Sequence, residues 1–93
     1  MPFVASCEEG LSTVYYVYII QSIRFPNRLY TGFSENIINR LSYHNTGLSS
    51  YTSKYRPWKL LCCVSFIDKK QALNFERYLK TASGIAFRNK RLI

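Results

Sequence analysis

Short apolar blocks alternate with polar breaks along this chain, and most blocks end on a residue that turns or caps the backbone. Residues 14–22 are rich in Val, Ile and Tyr, the composition of a strand. Residues 28–32 resume that pattern after Pro26 and Asn27, a turn-forming pair, so the two segments predict a β-hairpin, with Gly32 expected to break its second strand. Ser34 then suits a helix N-cap and Glu35 the positive first turn, while Ile37, Ile38 and Leu41 give an apolar stripe running to about Asn45, with Gly47 as the stop. A polar loop with Ser49, Ser50, Thr52 and Ser53 leads through Pro57 to a third strand over residues 58–66. Asp68 is expected to cap a helix over residues 69–80, and residues 85–93 to form a short final helix or turn. This order predicts an α/β (α+β) fold in which a small three-stranded sheet, mixed or antiparallel, is flanked by helices.

The composition fits that architecture. A chain of 93 residues, 47% hydrophobic and 16% aromatic, supports one domain with a single modest core and excludes disorder. The longest apolar run, residues 14–20, falls far short of the ~20 residues of a membrane helix. Residues 1–13 hold two acids and no basic segment, unlike a secretory signal, and are expected to form a loosely ordered leader before a domain at 14–93. Cys7, Cys62 and Cys63 are odd in number and lack metal-ligand spacing. The adjacent pair should point to opposite faces of a strand as reduced, packed thiols, which fits the cytoplasm better than a secreted framework.

Charge changes the picture more. The net +8 is unevenly placed: residues 1–53 carry three arginines against three glutamates, whereas residues 54–93 carry ten cations against Asp68 and Glu76. With Tyr51, Tyr55 and Trp58 interleaved, that basic part is what a phosphate backbone recruits through counterion release. A solvated surface that only aids solubility is the other reading.

Helical phase then isolates three polar residues. At about 100° per residue, Arg40 and His44 fall at the edge of the face set by Ile37 and Leu41, held yet able to reach a groove. Glu76 falls about 40° from Ala72, in the middle of the apolar sector shared with Leu79. A carboxylate there requires a cation or several donors. It suits a single Mg2+ ligand, since this ion keeps most of its waters; an ion pair to Arg40 or another nearby cation would also satisfy it.

Taken in order, Val17-Tyr18-Ile19, Tyr30-Thr31-Gly32, the helix Arg40-Leu41-Ser42-Tyr43-His44-Asn45, the segment Arg56-Pro57-Trp58-Lys59-Leu60 and Ala72-Leu73-Asn74-Phe75-Glu76 resemble the motifs of the GIY-YIG nuclease superfamily. The resemblance spans residues 14–93 and is closest to small single-domain bacterial members related to the N-terminal nuclease domain of the bacterial excinuclease. The first tripeptide lacks its Gly, the second has Thr31 at its centre, and Phe33 stands where some members carry Lys.

What the resemblance implies is hydrolysis of a DNA phosphodiester with one divalent metal, Mg2+ or Mn2+, on Glu76. Arg40 would stabilise the transition-state charge. Tyr18 would act as general base with His44 assisting near the attacking water, and Tyr30 would orient the water or the phosphate; the two tyrosines could also exchange roles. Lys54, Arg56 and Lys59 are expected to contact nucleic acid. Branched or damaged DNA is the implied substrate class, with an activating protein partner and no membrane. The alternative is a catalytically idle nucleic-acid-binding or partner-docking module with the same fold.

Overall fold

The computed structural model describes residues 13–47 and 51–93. All of the leader expected over residues 1–13 except Thr13, together with Cys7, Ser49 and Ser50, lies outside the described residues.

Strand β1 (Tyr15–Ser22) is the middle of a three-stranded sheet, between β2 (Leu29–Ser34) and β3 (Trp58–Phe66), and both pairings are antiparallel. A middle strand covered on both faces has little use for polar alternation. Its side chains divide by the pleat instead. Tyr16, Tyr18 and Ile20 pack with Trp58, Cys63 and Ile37 on one face; Val17 and Ile19 pack with Cys62, Ala72 and Leu79 on the other. Cys62 and Cys63 are buried and in opposite clusters, as their adjacency on a strand requires. A register shift between Ile19 and Ile20 lets β3 keep both Cys63 and Trp58 on the first face. Burial of Ile19 and Ile20 contributes about 1.5–3 kcal/mol each.

The expected hairpin forms, but β2 runs through Gly32 to Ser34. Gly32 pairs with Tyr18 and serves a close approach: a Cβ there would collide with the Tyr18 hydroxyl. Because Ser34 is still a ladder residue, it cannot cap the helix. Helix α1 (Ile37–Asn45) is capped instead by Asn36, whose side chain accepts from the Asn39 N–H at 3.0 Å. Ser34 Oγ bonds both the N–H and the carbonyl of Asn36, fixing the strand-to-helix bend. Gly47, at φ 86°, ends the helix as expected.

The buried face of α1 also differs from the expected one. Ile38 is 65% exposed, whereas His44 is only 2% exposed. The helix is turned so that Ile37, Leu41 and His44, at i, i+4 and i+7, face the sheet; Ile38 lies about 100° away from Ile37 and misses it.

Helix α2 (Lys69–Tyr78) begins where expected, Asp68 accepting from the Gln71 N–H at 3.1 Å. It stops two residues early because Thr81 turns the chain: its hydroxyl donates to the Tyr78 carbonyl at 2.7 Å and accepts from the Gly84 N–H at 3.1 Å. Thr81 thereby caps α3 (Ala82–Phe87), followed by a π-helical turn, Arg88–Leu92. Helix α1 and a 3-10 turn at Thr52–Tyr55 cover the Tyr18 face, and α2 covers the Val17 face. Among the described residues no helix is long and apolar enough to cross a membrane.

Candidate active site

The pairing register decides which side chains meet. Tyr18 lies opposite Gly32 and Ile20 opposite Tyr30, so Tyr18 and Tyr30 share one face as diagonal neighbours, their ring centroids 6.4 Å apart. His44 descends from α1 onto both rings, at 5.8 Å from Tyr18 and 5.0 Å from Tyr30.

Tyr18 Oη lies 2.8 Å from His44 Nε2, and His44 Nδ1 lies 2.9 Å from Thr52 Oγ1. All three residues are buried. Thr52 is fixed in turn, since its carbonyl accepts from Trp58 Nε1 at 2.8 Å. Asn45 clamps the Trp58 backbone, accepting from its N–H at 2.6 Å and donating to its carbonyl at 3.2 Å. Tyr18, His44 and Thr52 therefore form a buried line of hydrogen bonds with both imidazole nitrogens occupied.

Electrostatics keep this line neutral. Burial raises the Tyr18 phenol well above its ordinary 10.0; Tyr30 and Glu76 act in the same sense, while the Arg40 charge opposes them. Burial, reinforced by Arg40, lowers His44 below its ordinary 6.5. A neutral imidazole carries one proton, so either Tyr18 donates to Nε2 and Nδ1–H donates to Thr52, or the whole line is reversed.

Arg40, one turn before His44, is half-buried, with its guanidinium 5.0 Å from the Tyr43 ring centroid. Among the described residues it makes no salt bridge, so its charge is not neutralised by a carboxylate. It lines an open cleft with Ser34, Asn36 and Tyr43 beside the free edge of β2.

Glu76 departs from the sequence-based expectation. Its side chain is 20% exposed, and its Oε2 accepts from Lys80 Nζ at 2.7 Å, one turn further along α2, where Lys80 is 55% exposed. It is neither enclosed in the apolar sector nor paired with Arg40. Helical phase placed it correctly, about 40° from Ala72 on the side of Leu73, but that sector of α2 is not closed over at Glu76, whose side chain keeps part of its surface in water. Its charge is felt at Tyr18. The structure thus brings Tyr18, Tyr30 and His44 into contact, with the charges of Arg40 and Glu76 both felt at Tyr18.

Lys54 and Arg56 are exposed around the 3-10 turn, on the Tyr18 side, and the Arg56 guanidinium lies against Gly47. Lys59 alternates with Trp58 and Leu60, which pack on that side, so it leaves β3 from the opposite face. Phe33 likewise faces away, stacked on Tyr15 at 6.1 Å. Asn89 accepts from Arg88 Nε at 3.0 Å in the last turn. Thr52 and Tyr43 escaped the sequence-based selection. The Arg40-to-Asn45 motif already held Tyr43, but a Thr in a polar loop carries no signal.

A family model described as the GIY-YIG catalytic domain matches residues 14–90. A Staphylococcus haemolyticus protein named UPF0213 is 37% identical over 70 residues, covering 74% of this chain and 83% of its own length. The "Structure-specific endonuclease subunit SLX1" of Kluyveromyces lactis is 34% identical over 88 residues, and its Giardia intestinalis homologue 37% over 65. These alignments cover 85% and 66% of this chain, but only 31% and 18% of those longer relatives.

Proposed function

The chain belongs to the GIY-YIG nuclease family, and from that premise we propose a metal-dependent endonuclease that hydrolyses DNA phosphodiesters where Tyr18, Tyr30, Arg40 and Glu76 converge. The observation that carries this reading is the buried Tyr18–His44 bond under the charge of Arg40, which makes no salt bridge among the described residues.

Glu76 fits a divalent ion. Its carboxylate is partly open to water and, among the described residues, tied only to an exposed lysine one turn away, a pairing of the weak surface kind. Among the described residues no three His, Cys, Asp or Glu side chains cluster into a cage, which suits Mg2+ or Mn2+ held by one carboxylate, waters and phosphate. When bound, such an ion supplies positive charge to the phosphate oxygens.

The chain's own residues do the rest. A raised Tyr18 is a poor base by itself, because a free phenolate is disfavoured at neutral pH. His44 resolves this: as the attacking water gives its proton to Tyr18 Oη, the Tyr18 proton passes to His44 Nε2, with Thr52 accepting from Nδ1–H. His44 acts through Tyr18 and does not touch the water, being enclosed behind the phenol. Arg40 pairs with non-bridging phosphate oxygens, and their negative charge offsets the cation that otherwise resists imidazolium formation. Tyr30, half-exposed at the β2 edge, orients the water or the phosphate. Lys54 and Arg56 hold the DNA backbone; Lys59, on the other face, is left out of this surface.

Relatives named as subunits of a structure-specific endonuclease support branched or damaged DNA as substrate and an activating protein partner. The buried thiol of Cys62 supports a reducing, cytoplasmic setting. The test is cleavage of labelled duplex, single-stranded and branched DNA with Mg2+ or Mn2+, wild type beside Glu76→Ala and Tyr18→Phe. Metal-dependent cutting lost in both folded variants supports the site. Binding without cutting on every substrate favours the idle module.

A further inference from the structure

A row of aromatic residues starts at Tyr30 and leads away from the proposed catalytic edge, and beyond Tyr30 it has no part in the proposed chemistry. Tyr30 is followed by Tyr51 at 6.0 Å, Tyr51 by Tyr55 at 5.6 Å, and Tyr55 by Phe25 at 5.6 Å between ring centroids. Four rings from three separate segments thus stand in series. Two cations accompany them: the Arg28 guanidinium lies 4.8 Å from the Tyr55 centroid, and that of Arg24 lies 5.5 Å from Phe25. Tyr51 and Phe25 are 44% and 41% exposed, so both offer ring surface to solvent.

The array is built firmly. Ser22, wholly buried, donates from Oγ to the Tyr55 carbonyl at 2.6 Å and accepts from the Phe25 N–H at 3.0 Å, tying the hairpin turn to the 3-10 turn. The Ile23 N–H donates to the Pro57 carbonyl at 2.9 Å, a second tie between the same loops. At its catalytic end the array borders a cleft of about 400 Å3 between Tyr30, Tyr51, Leu79 and Ile85, with Lys80 and Arg88 at its wall.

We infer that this array is a track for an unpaired DNA strand, which leaves the catalytic edge with a base in the Tyr30–Tyr51 cleft and further bases on Tyr51 and Phe25. Exposed ring faces recognise the faces of bases, and in a duplex those faces are already occupied by stacking neighbours. Arg24, Arg28 and Lys54 supply the charge that follows the backbone. The track rests on the nuclease reading and narrows it to DNA with a single-stranded arm beside the scissile bond.

The experiment is fluorescence anisotropy of the intact chain in EDTA at fixed salt, with a labelled oligothymidylate and, separately, a blunt duplex of equal length. Tyr51→Ala and Phe25→Ala, on different segments, are each expected to weaken single-strand binding about tenfold while changing duplex binding less than about twofold, and Tyr51→Phe to bind like wild type. Unchanged single-strand affinity in both alanine variants overturns the track, as does an equal loss on both DNAs. Wild-type cleavage with Mg2+ is scored separately. A protein that cuts nothing but loses single-strand affinity with Tyr51→Ala keeps the track and loses the nuclease; one that cuts but binds single strands regardless of both rings keeps the nuclease and loses the track.

Discussion

Tyr18 and His44, 26 positions apart in sequence, share a buried hydrogen bond of 2.8 Å in which neither group is charged at neutral pH. A phenol made less acidic by burial and an imidazole made less basic by the same cause hold a proton between them without an ion pair. In the proposed mechanism their roles divide accordingly: the phenol oxygen would take the proton of the water and the imidazole would store one.

Tyr18→Phe should lower the cleavage rate by about 10²- to 10⁴-fold, the usual contribution of a positioned proton acceptor, with DNA affinity largely kept. It also leaves His44 Nε2 unsatisfied, costing about 1–3 kcal/mol in denaturant unfolding. Thr52→Val should cost a similar amount by orphaning Nδ1 and should slow cleavage without touching the substrate. Wild-type rates in Tyr18→Phe would remove the phenol from the mechanism.

The pH dependence has a definite sign. His44 is the sole histidine of the chain, and its folded pKa lies below the ordinary 6.5. The unfolded chain therefore binds more protons between the two values. The His44 contribution to stability is full above about pH 6.5 and is lost as pH falls through the folded value. For Tyr18, raised above 10.0, the contribution is full below that value and is lost as pH rises through the folded one. Imidazole proton resonances followed against pH should titrate below 6.5, and the acid limb of kcat/KM should follow them. A titration at or above 6.5 would contradict the burial argument.

Lys80 and Glu76 form an exposed i, i+4 pair whose loss should alter stability by no more than about 0.5 kcal/mol. Its consequence lies elsewhere: the Lys80 ammonium occupies the carboxylate that a divalent ion would use. Lys80→Gln should reduce the Mg2+ concentration needed for half-maximal cleavage a few-fold, whereas Glu76→Gln should abolish cleavage at every concentration. A metal titration at saturating DNA separates the two, and an unshifted midpoint in Lys80→Gln would show that the pair does not compete.

Gly32→Ala should push the Tyr18 ring off His44, because the new methyl group overlaps the Tyr18 hydroxyl. Overpacking of this kind costs about 1–3 kcal/mol. Cleavage should fall as well, and Gly32→Ala combined with Tyr18→Phe should be little slower than Tyr18→Phe alone, since both act on one oxygen. Full additivity in the rates would mean that Gly32 serves some other purpose.

Local patterns in the chain were enough for the three strands, the Asp68 cap, the Gly47 stop and the opposed cysteines, because each depends on a period of two, a period near 3.6 or a capping side chain a few residues away. They also singled out Tyr18, Tyr30, Arg40, His44 and Glu76 through motif spacing and helical phase. Periodicity fixes angles between residues on a helix but leaves the helix free to turn about its axis. The two-strand ladder through Gly32 and the bonds of His44 to Tyr18 and Thr52 set that rotation, burying His44 and exposing Ile38. Likewise, phase put Glu76 in an apolar sector, and only the packing of α2 on the sheet decided that water and Lys80 reach it. The aromatic track lay beyond any local pattern, since Phe25, Tyr30, Tyr51 and Tyr55 come together only when the hairpin turn docks on the 3-10 turn through Ser22. What the sequence determined by itself is what near neighbours along the chain can dictate; partners 26 or 33 residues apart required the packed sheet.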